Sequence, residues 1–216
     1  MTYTYQPLDY SKGEIRLLEL QPGEPGSAIE FYLHVVSLDE RPLYEAVSYV
    51  WGNQYTTKPV YVLQSNSNGQ EVHAAPLNVT VNLESALCHL RYPDESRMLW
   101  ADAICINQNE NVEKGAQVQR MGEIFEIAAR VCVWLGDEDP ASFSKDAMEL
   151  MAQCPENMDA AYELFADENW SLSWRALTAL VQRPYFGRCW IIQEIAFASD
   201  VSVDRDLLTD MLSSYT

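Results

Sequence analysis

The sequence predicts an α/β fold: a parallel-sheet core with crossover helices, an N-terminal β-hairpin and a C-terminal helical region. Three observations carry that reading. Met98–Ile106, apolar but for Asp102, and Val131–Leu135 are short apolar runs, as expected of strands covered on both faces. Leu83, Ala86, Leu87 and Leu90, and then Met121, Ile124, Phe125 and Ala128, recur at helical spacing between the runs. The resulting order, strand–helix–strand–helix–strand, needs two crossovers, and crossovers join parallel strands.

The elements follow in order. Residues 14–20 read as a strand, and the Gly/Pro-rich stretch Gln21–Gly26 as a turn. A second strand puts Ile29, Phe31, Leu33 and Val35 on one face by alternation, which completes a hairpin. Ala46–Trp51 is a third strand, ended by Gly52, and residues 59–63 and 71–73 suggest a smaller hairpin. Asn78 is the expected N-cap of the first helix, with Pro93 just past its end. The second helix is expected to start near Asn109, with Glu110 and Glu113 at its positive end. Gly136 stops the last strand of the core. Residues 137–200 then read as helices near 144–154, 158–166, 171–182 and 187–198. The whole is expected to be one domain: an α/β core over 14–136, a helical region over 137–200 that completes the site, and a flexible tail over 201–216.

Composition excludes several function classes. The chain has 216 residues and a net charge of -18, from 14 basic and 32 acidic residues. A polyanion needs Lys and Arg to displace its counterions, so neither nucleic acid nor an anionic membrane is the expected partner. No apolar run reaches the roughly 20 residues of a membrane span. The N-terminus, Met1–Gln6, lacks the basic and apolar regions of a signal peptide. Five cysteines, Cys88, Cys105, Cys132, Cys154 and Cys189, show no C-x-x-C spacing and read as buried free thiols. A cytoplasmic location is therefore expected. His34, His73 and His89 have no Ser or Cys at a readable spacing, so a hydrolase triad has no support. Neither G-x-G-x-x-G, nor a Walker A loop, nor metal-ligand spacing is present. No cofactor is expected.

Ligands of an open parallel sheet bind outside the carboxyl ends of its strands. Ser48, Tyr49, Trp51 and Gly52 end one strand. Trp100, Asp102, Asn107 and Gln108 lie at or after the next. Each has a plainer reading as well: Asn107 and Gln108 capping a turn, Trp51 packed in the core. The third cluster, Arg188–Ile195, contains Arg188, Trp190 and Glu194. On a helix Trp190, Glu194 and Phe197 share one face, which places a carboxylate between two aromatics. Such a group must meet a crevice, a partner or water, or else pair with Arg183 or Arg188.

Three ordered blocks resemble the fungal heterokaryon incompatibility (HET) family. They are Tyr44–Gly52; Leu99–Gln108, continuing through Gln117-Val118, Met121, Ile124-Phe125 and Ala128 to Val133–Gly136; and Arg183–Phe186 with Arg188–Glu194. The sequence departs from the family where a Glu-Arg usually precedes the Gln-Val pair; Glu113-Lys114 stands earlier here. The family is associated with non-self recognition and regulated cell death, and is distantly similar to TIR domains, several of which cleave NAD. TIR domains have a strand ending in Ser-Tyr, matched by Ser48-Tyr49, and a Trp four positions before the catalytic Glu, matched by Trp190 and Glu194. The resemblance implies a TIR- or flavodoxin-like sheet and three functions to weigh. The first is cleavage of NAD or a related nucleotide at catalytic Glu194. Ser48, Tyr49, Trp51, Gly52, Trp100, Asp102, Asn107, Gln108, Arg188 and Trp190 would then bind the substrate. The second is a non-catalytic module that self-associates or binds another signalling protein. The third is a small biosynthetic enzyme using the same crevice.

Overall fold

A computed structural model describes residues 3–65, 71–137, 144–154, 157 and 170–203. It divides into two units, Met1–Gly136 with Cys189–Asp204, and Asp137–Arg188 with Arg205–Thr216.

The first unit holds an eight-stranded mixed sheet. Its strands are β1 (Glu14–Leu20), β2 (Glu30–Ser37), β3 (Glu45–Tyr49), β4 (Thr57–Ser65), β5 (Glu71–Thr80), β6 (Arg97–Trp100), β7 (Arg130–Trp134) and β8 (Val201–Val203). They lie in the order β5-β4-β2-β1-β6-β3-β7-β8. The expected N-terminal hairpin is β1–β2, antiparallel, with Leu18 opposite Leu33. The parallel half is β6-β3-β7-β8, in which β3 is flanked on both sides by parallel partners. The smaller hairpin, β4–β5, leaves the chain after β3 but joins β2 on the far side of the sheet.

Crossover helices cover the two faces of the parallel half. Helix α1 (Val81–Leu90) buries Leu83, Ala86, Leu87 and Leu90, the four residues whose spacing predicted it. Its N-cap is Thr80, whose hydroxyl accepts from Leu83 N, and not Asn78. Asn78 is a residue of β5, opposite Pro59, because the strand continues further than its apolar pattern shows. The run Met98–Ile106 is likewise not one strand. It leaves the sheet at Trp100, and Asp102–Cys105 forms a helical turn, α2. Asp102 drives the change: its carboxylate accepts from Ala103 N, and the Cys105 amide closes onto Ala101 O at 2.8 Å. Ile104 and Cys105 are buried in the turn, so the apolar run reports burial and not strand geometry. Glu110 caps α3 (Asn111–Gln119), its side chain accepting from Val112 N and Glu113 N. The predicted long helix breaks at Arg120, and α4 (Met121–Ile127) follows with Met121, Ile124 and Phe125 buried.

Strand alternation sorts the side chains of the sheet between its faces. Trp100 meets Phe125 of α4 edge-on, with ring centroids 5.6 Å apart. Trp134 meets α1 at both ends, through Asn82 and His89. Ala46 pairs with Trp100, so Ala46 and Ser48 face α4; Tyr49 pairs with Trp134 and faces α1. The first unit closes with helix α7 (Ile191–Ala196) and β8. Residues 201–203 therefore belong to the sheet, where a flexible tail was expected from residue 201.

The second unit contains α5 (Ser144–Gln153), α6 (Ser171–Val181) and a 3-10 turn, Pro184–Gly187. Ala147, Leu150, Ala176, Leu180 and Tyr185 are buried. These helices match the expectation for 144–154 and 171–182. The helix expected over 187–198 is shorter, and that expected over 158–166 lies outside the described residues.

One charged residue inside β1, Arg16, is buried. Its guanidinium makes a two-pronged ion pair with Glu113 of α3, at 2.5 and 3.0 Å. It also donates to Cys105 O at 3.0 Å and Gln6 O at 2.5 Å, and lies over the ring of Tyr5. Glu113 accepts in addition from Asn107 N at 2.6 Å. Removing one partner strands a buried charge. Arg16→Ala or Glu113→Ala is expected to cost about 3–5 kcal/mol of stability, and an apolar replacement of both much less, as measured by urea unfolding. Of the thiols expected to be buried, Cys105 and Cys132 are, whereas Cys88 is half-buried and Cys154 and Cys189 are exposed; burial pushes the Cys105 thiol up to about 12. Raising pH above the ordinary thiol range ionises Cys105 in the unfolded chain first, so stability falls between about pH 9 and 12. Cys105→Ala is expected to flatten that part of the stability–pH curve.

Candidate functional site

The parallel half has the order expected of a doubly wound sheet. From β3 the chain steps to β6 on one side, then returns past β3 to β7 on the other. The connections diverge at the carboxyl ends of β3 and β7, a topological switch point where ligand crevices form. Both strands leave the sheet through a glycine in the left-handed region, Gly52 at φ 73° and Gly136 at φ 97°. A side chain is strained at either position. A Cβ on Gly52 would also lie 3.5 Å from Cβ of Asn82, in the first turn of α1.

Two carboxylates are held near the end of β3, on opposite faces. On the α1 face, Asp102 accepts from Tyr49, Trp51 and Ala103 among the described residues. Tyr49 Oη donates to Oδ1 at 2.8 Å, Trp51 Nε1 to Oδ2 at 2.8 Å, and Ala103 N to Oδ1 at 2.7 Å. Tyr49 and Trp51 are two residues apart and reach the same acceptor, as strand periodicity allows. The result is a fixed indole on a half-buried rim.

On the α4 face, Ser48 donates its hydroxyl to Glu194 Oε2. Both are 1% exposed. Glu194 stands in the first turn of α7, its amide bonded to Trp190 O at 3.1 Å. Trp190 and Phe197 are 47% and 50% exposed, so the carboxylate does not lie sandwiched between them as the spacing suggests. It points inward to the sheet, and the aromatics remain at the surface.

The other expected site residues are placed differently. Trp100 is a core residue, 1% exposed, with its Nε1 unpaired. Asn107 organises the loop after α2: its side chain accepts from Asn109 N at 3.2 Å while its amide binds Glu113. Gln108 donates to Asp102 O at 2.9 Å, behind the carboxylate. Arg188 belongs to the second unit, with its guanidinium over the ring of Tyr185. Among the described residues no group of three His, Cys, Asp or Glu could hold a metal ion, and no helix is long and apolar enough to cross a membrane.

Sequence reasoning missed Asn82. Its Nδ2 donates to Val50 O at 2.5 Å and its Oδ1 accepts from Trp134 Nε1 at 3.1 Å. One side chain thus joins the exits of β3 and β7. An Asn after a helix start looks like an ordinary polar surface position, and only the strand order reveals its place.

The fold and site define an α/β domain whose switch point carries a buried glutamate on one face and a saturated aspartate on the other. The family model described as heterokaryon incompatibility protein (HET) matches residues 44–194, more than half the chain. The chain is also similar to heterokaryon incompatibility protein 6, OR allele, of Neurospora crassa. The two are 30% identical over 223 aligned residues, which cover 86% of this chain and 32% of that protein. It therefore spans about a third of the length of that relative. No solved structure matches it. The chain belongs to the heterokaryon incompatibility (HET) family.

Asp102 holds Tyr49 and Trp51 only while it can accept from both. Asp102→Asn replaces one acceptor by an amide and is expected to release one of the two side chains. The Trp51 indole N–H resonance, assigned by its loss in Trp51→Phe, should move in the Asp102→Asn protein while the fold is retained. An unmoved resonance would remove Asp102 from this role.

Proposed function

We propose that this chain acts in heterokaryon incompatibility and that its chemistry is TIR-like cleavage of NAD to nicotinamide and ADP-ribose. The observation that carries the reading is the Ser48–Glu194 pair, a glutamate buried at the end of the central parallel strand. In the proposed reaction the bond between ribose C1′ and the nicotinamide nitrogen breaks, and its electron pair leaves with neutral nicotinamide. Positive charge develops on the ribose ring. A carboxylate already desolvated and oriented stabilises that charge without reorganising at the moment of reaction. Water then adds to C1′ and releases a proton. Ser48 orients Glu194, and the indole of Trp51, held by Asp102, offers a flat face to a ring of the substrate.

A second reading is favoured by the outer surface of α7. Trp190, Ile192, Ile195 and Phe197 are 47%, 71%, 38% and 50% exposed; Trp190 and Phe197 lie on one side of the helix and Ile192 and Ile195 on the other, and exposed apolar surface of this kind marks interaction sites. Self-association, or binding to another signalling protein, would use it.

Nicotinamide release from NAD, followed across a range of protein concentrations, tests both readings. Turnover that falls by about 100-fold or more in Glu194→Gln is the expected result, in line with loss of one electrostatic stabiliser. Turnover that rises faster than protein concentration would join the two readings. Absence of turnover at every concentration, with assembly still present, would leave the interaction module alone.

A further inference from the structure

We propose that Asn82 is the positioning residue of the crevice: its amide sets the path of the chain between Tyr49 and Trp51 by tying β3 to β7. The inference rests on the reading of this crevice as the reactive site.

The geometry is specific. Val50 O accepts only, and Trp134 Nε1 donates only, so the Asn82 amide has one orientation that satisfies both. Val50 is the residue between the two side chains that bind Asp102, and it follows the two that end β3. Asp102 therefore holds the side chains of Tyr49 and Trp51, while Asn82 holds the peptide between them. Trp134, the partner on the other strand, is 2% exposed and packed on His89 at the far end of α1. The anchor on that side is thus rigid. Left-handed Gly52 allows close approach on the β3 side, with no side chain between the loop and Asn82.

The same geometry makes Asn82→Asp an informative variant. Ionised, the new carboxylate still accepts from Trp134 but faces the Val50 carbonyl with a second acceptor. Protonated, it regains a donor and restores the bridge. Three variants separate positioning from stability. Asn82→Ala removes both bonds, Asn82→Asp removes one in a pH-dependent way, and Thr80→Ala removes only the N-cap of α1.

The experiment records nicotinamide release from NAD between pH 5 and 8, and the indole N–H resonances of Trp51 and Trp134, for the parent chain and all three variants. Asn82→Ala is expected to lose on the order of 100-fold in kcat, as small misplacements at a reacting centre do. Asn82→Asp is expected to lose as much at pH 8 and to recover as pH falls, relative to the parent. The Trp134 signal should move in Asn82→Ala and the Trp51 signal in both Asn82 variants, with neither moving in Thr80→Ala. The spectra decide the question even if the parent chain releases no nicotinamide, an outcome that ends the NAD reading but not this one. An unmoved Trp51 resonance in both Asn82 variants, or an equal change in Thr80→Ala, would overturn the role of Asn82.

Discussion

The buried ion pair between Arg16 and Glu113 is the constraint on which the carboxyl edge of the sheet depends. Burying two charges is tolerable only when nearly every lone pair and proton finds a partner. Here the partners come from the segment at Gln6, the end of α2 at Cys105, the loop at Asn107, and α3. Only Arg16 Nε is left unpaired. Meeting that requirement pins α2 between β1 and α3. Because α2 opens at Asp102, the ion pair also decides where the Asp102 carboxylate stands, and through it Tyr49 and Trp51.

Much of the architecture is legible in the residues, and the misses share a physical cause. β1 is legible as an apolar run closed by a Gly/Pro-rich turn, and β2 by its alternation, although only the first part of the expected stripe, Ile29 and Phe31, is buried and Val35 is exposed. Ala103–Ile106 is too short for any periodicity to develop, so buried helix and buried strand look alike there. Strand order is harder still. Nothing local in Thr57–Thr80 says that this hairpin will cross to β2, since only two residue pairs join β2 to β4. Arg16 does leave a trace, a full charge within the apolar run Ile15–Leu18, but its partner is 97 residues away.

The candidate site divides along the same line. Glu194 is marked by its spacing from Trp190, and Asp102 by its place after an apolar strand. Ser48, Tyr49 and Trp51 are marked by their place at the end of a strand, but which carboxylate each meets is not, because Ser48 and Tyr49 are neighbours whose side chains go to opposite faces and meet different elements. Glu113 shows how composition misleads. An acidic residue in the first turn of α3 looks like a helix-dipole contact, a role that Glu110 fills while Glu113 turns inward to Arg16.

The position of Glu194 in the chain has a consequence for biosynthesis. Its hydroxyl partner, Ser48, is made 146 residues earlier. β3 is also flanked by two strands that both follow it, and β7 by one that follows Glu194 itself. Emerging from the ribosome, the chain therefore carries Ser48 through 146 further residues before its partner exists, with the central strand waiting for its neighbours. Whatever depends on the Ser48–Glu194 pair is therefore absent until residue 194 has been made, as a direct result of strand order.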